Sequence, residues 1–448
     1  MPRNGPFTSE EITRIGTEAA KLAWAGGMTV LRADGEVVPI PLVAEPEVVD
    51  RSRLAWLAEE SNAILSGSVK LGRALLARGA PRDVEALLGP FEGLEAEAMA
   101  RLFTEAPCPA VVSRVDFLPP GDGGLPRALE LNATIPAMPA YADLATLSWI
   151  RAAARVRGFT PRRERDLLAR AGSHMEALRE TLVAFHRWRG GTRERPSIAI
   201  VARPGDAQIG ELRRLASHFR QMGHETDVLV PDDADPDGFD LLYRHVWAHR
   251  TPTGSPFARA LREPSRWQLV NPVNGMLEAK ALFARLSEAA EDDSLASAAA
   301  LDANELAAAR RLPWTRMHSE SLVPRLLAER ERFVLKRSWD YGGKSVHLGA
   351  ETEPSAWERA VREAAADRRG GGFVAQERVF AARRPATRIT PSGPEAGSLY
   401  RDISTYGGLL PVHPSGSVVR AAASPIVNIL GGGGLAPVIP ADVWDAFA

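Results

Sequence analysis

The sequence predicts a mixed α/β chain, with α/β and α+β elements side by side, on three observations. Residues 197–231 read as strand, amphipathic helix and strand. Residues 110–132 read as two short strands around a Pro/Gly turn, and residues 333–349 as strand, glycine-rich loop and strand. With 448 residues, 45% hydrophobic and 25% charged, the chain has the composition of an ordinary globular protein. That length suits roughly two to four domains.

The formal net charge of -1 gives no electrostatic reason to expect nucleic acid or an anionic membrane as partner. Cys108 is the only cysteine, so an intramolecular disulfide and a zinc-thiolate cluster are excluded, and a buried structural thiol is expected there. The opening Met-Pro-Arg-Asn-Gly-Pro lacks a basic segment followed by an apolar core. The uncharged stretch 421–440 is broken by four glycines and three prolines, so no membrane span is expected. A cytoplasmic protein is the expectation.

Taken in order, residues 1–104 are mainly helical in pattern. Thr8-Ser-Glu-Glu11 offers an N-cap, residues 54–102 repeat apolar positions at three and four, and Asp34-Gly35 marks a hairpin between two extended runs. Residues 110–118 and 127–132 are strands. Side chains two apart on a strand share a face, so Arg114 goes with Asp116, and Glu130 with Asn132. Paired, the strands would present two carboxylates, an amide oxygen and a guanidinium, a set that suits a hard divalent cation. The same pattern also describes a solvated polar sheet face with an Arg–Asp pair.

Residues 151–190 are helical and connect to the strand–helix–strand unit at 197–231, with a further strand at 240–244. No G-x-G-x-x-G follows the first strand, so the unit is Rossmann-like without evidence for a dinucleotide. Residues 232–240 and 288–293 are acidic and read as solvated surface. Asn271-Pro272 is a turn, and a helix starting near Gly275 would carry Lys280 on its second turn. Beyond the 333–349 hairpin, residues 357–366 are a helix and 372–380 a strand, and Pro/Gly-rich 383–397 is a mobile loop. Strands follow at 399–405, 408–411 and 418–422, then a glycine-rich end at 425–438.

Lysine usage singles out the hairpin. Only five of the 55 basic residues are lysine, and three of these, Lys280, Lys336 and Lys344, lie within 65 residues of one another. In a chain that uses arginine by default, a lysine marks a position needing a compact ammonium rather than a planar fork.

Leu335-Lys336, the run from Asp340-Tyr-Gly-Gly-Lys344 to Gly349, Trp357, the stretch from Val374 to Val379, then Arg420 and Ile426-Val-Asn-Ile429 together resemble the ATP-grasp fold. The acidic strands precede both lysines, as in circularly permuted ATP-grasp proteins and the synthetase domain of glutathionylspermidine synthase. The resemblance covers 109–144 and 268–438. It implies an ATP-grasp fold in permuted order with a Rossmann-like pre-ATP-grasp unit and a helical N-terminal region. The divisions would be 1–104, 105–150 with the metal-binding strands, 151–267, and 268–448 with the nucleotide-binding lobes.

By position, the resemblance assigns Lys280 and Lys336 to ATP phosphates and Gly342, Gly343 and Lys344 to the loop that covers them. Gln376, Glu377 and Val379 fall on the hinge strand beside adenine. Asp116, Glu130 and Asn132 correspond to Mg²⁺ ligands, and Arg114 to a phosphate-facing arginine. Arg420 and Asn428 correspond to residues near the transferred phosphoryl group. The implied activity is ATP- and Mg-dependent ligation of a small-molecule or peptide carboxylate to an amine through an acyl phosphate. A small-molecule phosphotransferase and a nucleotide-binding protein without turnover are the other two classes. Two departures stand out: Lys336 is followed by Arg337 instead of proline, and the thiol-amidase half of glutathionylspermidine synthase is absent.

Overall fold

Thr8 and Glu11 start the first helix, Ser9–Ala25: the Glu11 N–H donates to the Thr8 hydroxyl, and the Thr8 N–H donates to the Glu11 carboxylate. The computed structural model describes residues 5–340, 343, 345–413, 415–429 and 431–448. Strands Thr29–Leu31 and Val37–Pro39 pair antiparallel about the Asp34-Gly35 turn, where Gly35 has a φ of 88°. The long helix Arg51–Arg78 buries Leu57, Ser61, Ile64, Ser68, Leu71 and Leu75, alternating steps of four and three that make one stripe. It stops at Gly79, which takes a left-handed φ of 66°.

Three larger sheets follow. The first has seven strands in the order Arg384–Thr390, Leu42–Val43, Gly434–Ala436, Ser417–Ala422, Gly393–Gly407, Ser113–Leu118 and Arg127–Asn132. One of its faces is apolar. Val115, Phe117, Leu131, Ile403 and Val419 belong to the same core as Leu57, Ile64 and Leu65 of the long helix. The second sheet is parallel, in the order Leu269–Val270, Leu241–His245, Ile198–Ala202 and Thr226–Leu229, with the helix Ile209–Gln221 between its first two strands in the chain. The third is antiparallel: Thr315–Met317, Phe373–Glu377, Phe333–Arg337 and Val346–Leu348.

Several expectations change. The first acidic strand begins at Ser113, not at 110, because the buried Asn271 side chain takes the Val111 and Val112 N–H groups at 2.8 and 3.0 Å. Residues 383–397 are a hairpin, not a loop: Arg384–Thr390 pairs with the long strand Gly393–Gly407, turning at Gly393. Pro385 is accommodated because it has a strand neighbour on one side only. Residues 408–411 form no strand; the Gly408 and Leu409 N–H groups go to Asn62 and Ala110 instead. Gly275–Glu278 is a 3₁₀ turn, and Ala279 is extended with a ψ of 122°. The α-helix therefore begins at Lys280 itself, as Lys280–Ala289.

Candidate functional site

The polar face of the seven-stranded sheet is set by register. Arg114 lies opposite Asn132 and Asp116 opposite Glu130; Ser404 is the other neighbour of Asp116, and Asp402 lies opposite Arg420. Strand alternation then turns all of these side chains to one side. Facing them is the third sheet, where Lys336 stands between Val346 and Val374. The space between the sheets is a cavity of about 300 Å³. Every nominated residue that the structure describes lines it: Arg114, Asp116, Glu130 and Asn132 from one side, Lys280, Lys336 and Gly343 from the other, and Gln376, Glu377, Val379, Arg420 and Asn428 around it. Gly342 and Lys344 lie outside the described residues.

Lys336 is 9% exposed, and its Nζ donates to Gln376 Oε1 at 2.7 Å. The Gln376 amide is itself oriented by donating to Thr315 Oγ1 at 3.1 Å. Burial pushes the Lys336 ammonium down to about 8; Glu130 opposes that shift and Lys280 adds to it. Lys280 reaches in from the first residue of its helix. Its backbone N–H and that of Ala281 are held by Ser338, and its Nζ donates to the Asp340 carbonyl at 2.9 Å and lies 3.6 Å from Glu130 Oε2.

Asp116 is differently placed from Glu130. Arg114 grips it with Nε to Oδ1 at 2.8 Å and Nη2 to Oδ2 at 3.1 Å, and Arg420 Nη2 adds a bond to Oδ2 at 2.9 Å. Burial pushes this carboxyl up, but the two guanidiniums outweigh burial and hold it well below the usual carboxylate range. Arg420 also binds Asp402 through Nε and Nη2. Two arginines and two aspartates thus neutralise one another. Beyond them, Lys280 lies 3.6 Å from Glu130, and the described lining also carries Arg337 and Arg378 against Glu278, Asp340 and Glu377, so Lys280 and Lys336 are its two ammonium groups in a wall of balanced charge.

Magnesium takes oxygen ligands and commonly uses one or two carboxylates beside phosphate oxygens and water. Glu130 fits, since its side chain is 35% exposed and not enclosed by arginine. Asn132 shares the face of Glu130, and its Oδ1 is an oxygen donor of the right kind; its buried, unpartnered Nδ2 is an N–H donor and takes no part in holding a cation. Asp116 commits its oxygens to guanidiniums here, so the donor set rests first on Glu130 and Asn132. Among the described residues no group of three or more His, Cys, Asp or Glu is arranged for a metal. A site made of one open carboxylate and an amide needs the ligand's own oxygens to be complete.

Sequence reasoning missed four contributors. Asp402 shares its face with Ser404 and Tyr406, and that alternation was the available signal. Trp247 and Trp339 meet edge to face at 5.4 Å and line one end of the cavity. Half-buried Glu278 accepts the Ala133 and Thr134 N–H groups at 2.7 and 2.5 Å, fixing the chain just beyond Asn132. Nothing in the local sequence marks that contact. Cys108 is buried, and burial raises its thiol to about 11, which fits a structural role. No helix among the described residues is long and apolar enough to cross a membrane.

No protein-family model matches the chain, and no curated protein matches it. Among solved structures it is similar to a glutathione synthetase-like effector from Globodera pallida in its apo form, with a TM-score of 0.61 and 12% sequence identity. The match covers 97% of this chain and 98% of that one, so the likeness is one of fold, a mixed α/β architecture shared over nearly the whole length.

Proposed function

We propose that the cavity is the nucleotide site of an ATP-grasp ligase in circularly permuted order, which joins a carboxylate to an amine with consumption of ATP. The observation that carries this reading is the convergence of Lys280, Lys336, Arg114, Arg420, Glu130 and Asn132, drawn from two sheets and a helix and from segments some 200 residues apart, on one cavity. The glutathione synthetase-like description of the structural neighbour supports the same class.

On this reading Lys280 and Lys336 bind the phosphates. Gln376, Glu377 and Val379 receive adenine, Gly343 belongs to the covering loop, and Asn428 stands near the reacting end. Glu130 and Asn132 hold Mg²⁺, with Asp116 within reach if an arginine turns to substrate. Bound Mg²⁺ supplies charge neutralisation on the phosphates. The substrate carboxylate attacks the γ-phosphoryl group in line, forming an acyl phosphate and ADP; the amine then adds to the acyl carbon and expels inorganic phosphate. Arg420 commits Nε and Nη2 to Asp402 and Asp116, which orient its guanidinium on the cavity wall where negative charge would develop.

Hydroxylamine distinguishes a ligase from a phosphotransferase. With Mg-ATP and a panel of amino acids and small peptides as carboxylates, a ligase gives an acyl hydroxamate in step with ADP. Substrate-dependent ADP release with a stable phosphorylated product and no hydroxamate would make the protein a phosphotransferase.

A further inference from the structure

The seven-stranded sheet has a second cavity, of about 380 Å³, on the side away from the lysines. It is bounded by the start of the helix Arg51–Arg78, by the strand Gly393–Gly407, and by the turn joining the two acidic strands. Asp402 borders both cavities, but its neighbour Arg401 points the other way, as strand alternation requires.

Arg401 is only 5% exposed. Its Nη1 donates to Glu47 Oε2 at 3.0 Å, while its Nε is buried with no hydrogen-bond partner. Arg53, on the first turn of the helix, likewise has a buried Nη1 without a partner. Arg384 completes the wall, and both its terminal nitrogens bind the same Glu47 carboxylate at 3.1 and 3.0 Å. Glu47 is therefore shared by two guanidiniums. The cavity carries Arg53, Arg384 and Arg401 against Glu47 and Asp50, with the carboxylate of Asp402 engaged by Arg420.

Buried donors without acceptors are rare in folded proteins, and a guanidinium is satisfied best by a charged oxygen. Two such donors on one cavity with a cationic excess specify what is missing. We propose that this cavity is a binding site for a small anion, a carboxylate or phosphate group held by the guanidiniums of Arg53 and Arg401, which line it and each keep a donor without an acceptor. The site is separate from the nucleotide cavity and does not depend on that cavity's function. It stands one residue along the strand from Asp402, and its roof joins the strands that carry Asp116 and Glu130.

Calorimetric titration of the full chain tests this with sodium phosphate and, separately, sodium succinate, at ionic strength matched with sodium chloride. The Lys336→Ala variant serves as background, so that phosphate binding in the first cavity does not contribute. The expected result is one saturable site for at least one probe, weakened about tenfold or more in Arg53→Gln, where a single charge-assisted bond is removed. Arg53 Nη1 has no hydrogen-bond partner and its guanidinium gives up only its place over the Trp56 ring at 5.5 Å; circular dichroism verifies the fold of this variant and of Arg401→Gln, in which the same loss of binding is expected. Heat with succinate alone identifies a carboxylate site, and heat with phosphate alone a phosphate site. No saturable heat with either probe, or equal affinity in the parent and in folded Arg53→Gln, overturns the proposal.

Discussion

Lys336 shows how much a single side chain is held against its own preference. Its folded-state value of about 8 lies below the ordinary 10.5, so keeping the ammonium charged where it is buried costs about 3 kcal/mol. Because the folded value is the lower one, the folded state gives up this proton first. Stability from this group is therefore poorest below about pH 8 and improves as pH rises from there towards 10.5. Replacing Lys336 with Met removes the burial cost and forfeits one hydrogen bond to Gln376. The unliganded variant should be more stable at pH 7 by about 1–2 kcal/mol, measured by urea denaturation, while losing nucleotide binding. A destabilised variant would mean that the ammonium is a structural tie.

The same shift predicts the pH dependence of binding. Phosphates favour the charged lysine, so Mg-ATP affinity should weaken by up to about tenfold per pH unit above about 8, and titration in buffers of different ionisation heat should show proton uptake. A flat profile from pH 7 to 9.5 would separate Lys336 from the phosphates. Across the cavity, Glu130→Ala should lower ADP formation by at least about a hundredfold with circular dichroism unchanged. Unchanged turnover would take Glu130 out of the site.

At the scale of elements, the site depends on how the parallel sheet is fastened to the acidic strands. Asn271 is the fastening. Its Oδ1 accepts from Val111 and Val112, and its Nδ2 donates to the Val112 and Ala133 carbonyls at 2.7 and 2.6 Å. Asn271→Ala strands two buried N–H groups and should cost about 2–5 kcal/mol, read as a lower urea midpoint. A loss under about 1 kcal/mol would show that the junction repacks without it. The Asn-Pro dipeptide announced a turn in the sequence, but a turn signal carries no information about a side chain's partners 160 residues away. The hairpin at 384–407 was illegible for a related reason. Its prolines and glycines read as a loop, whereas Ile389 is buried and Arg388 and Ile389 pair with Val43 and Leu42 from the far end of the chain.

Over the whole molecule, the legible parts were those written locally. Lysine scarcity, the two-residue spacing in Arg114-Val-Asp116 and Glu130-Leu-Asn132, and the strand–helix–strand pattern each appear within a few residues. The closure of the large sheet does not. Leu42–Val43 supplies a two-residue strand between Arg384–Thr390 and Gly434–Ala436, too short for any periodicity to reveal. Arg311 clamps Glu60, and Lys70 binds Glu305 at 2.7 Å, so the long helix Arg51–Arg78 is joined to segments beyond residue 300 by ion pairs that sequence spacing cannot expose. The cavity exists because these distant pieces meet.

The central claim is that this meeting place binds Mg-ATP, and the most direct measurement is the melting temperature of the chain with and without the nucleotide. A ligand confined to the folded state and present at about a hundred times its Kd adds about 2.7 kcal/mol of stability. Millimolar Mg-ATP should therefore raise the midpoint of the parent protein, and the rise should vanish in Lys336→Ala. An unmoved midpoint in the parent, or an equal rise in both proteins, would contradict the account.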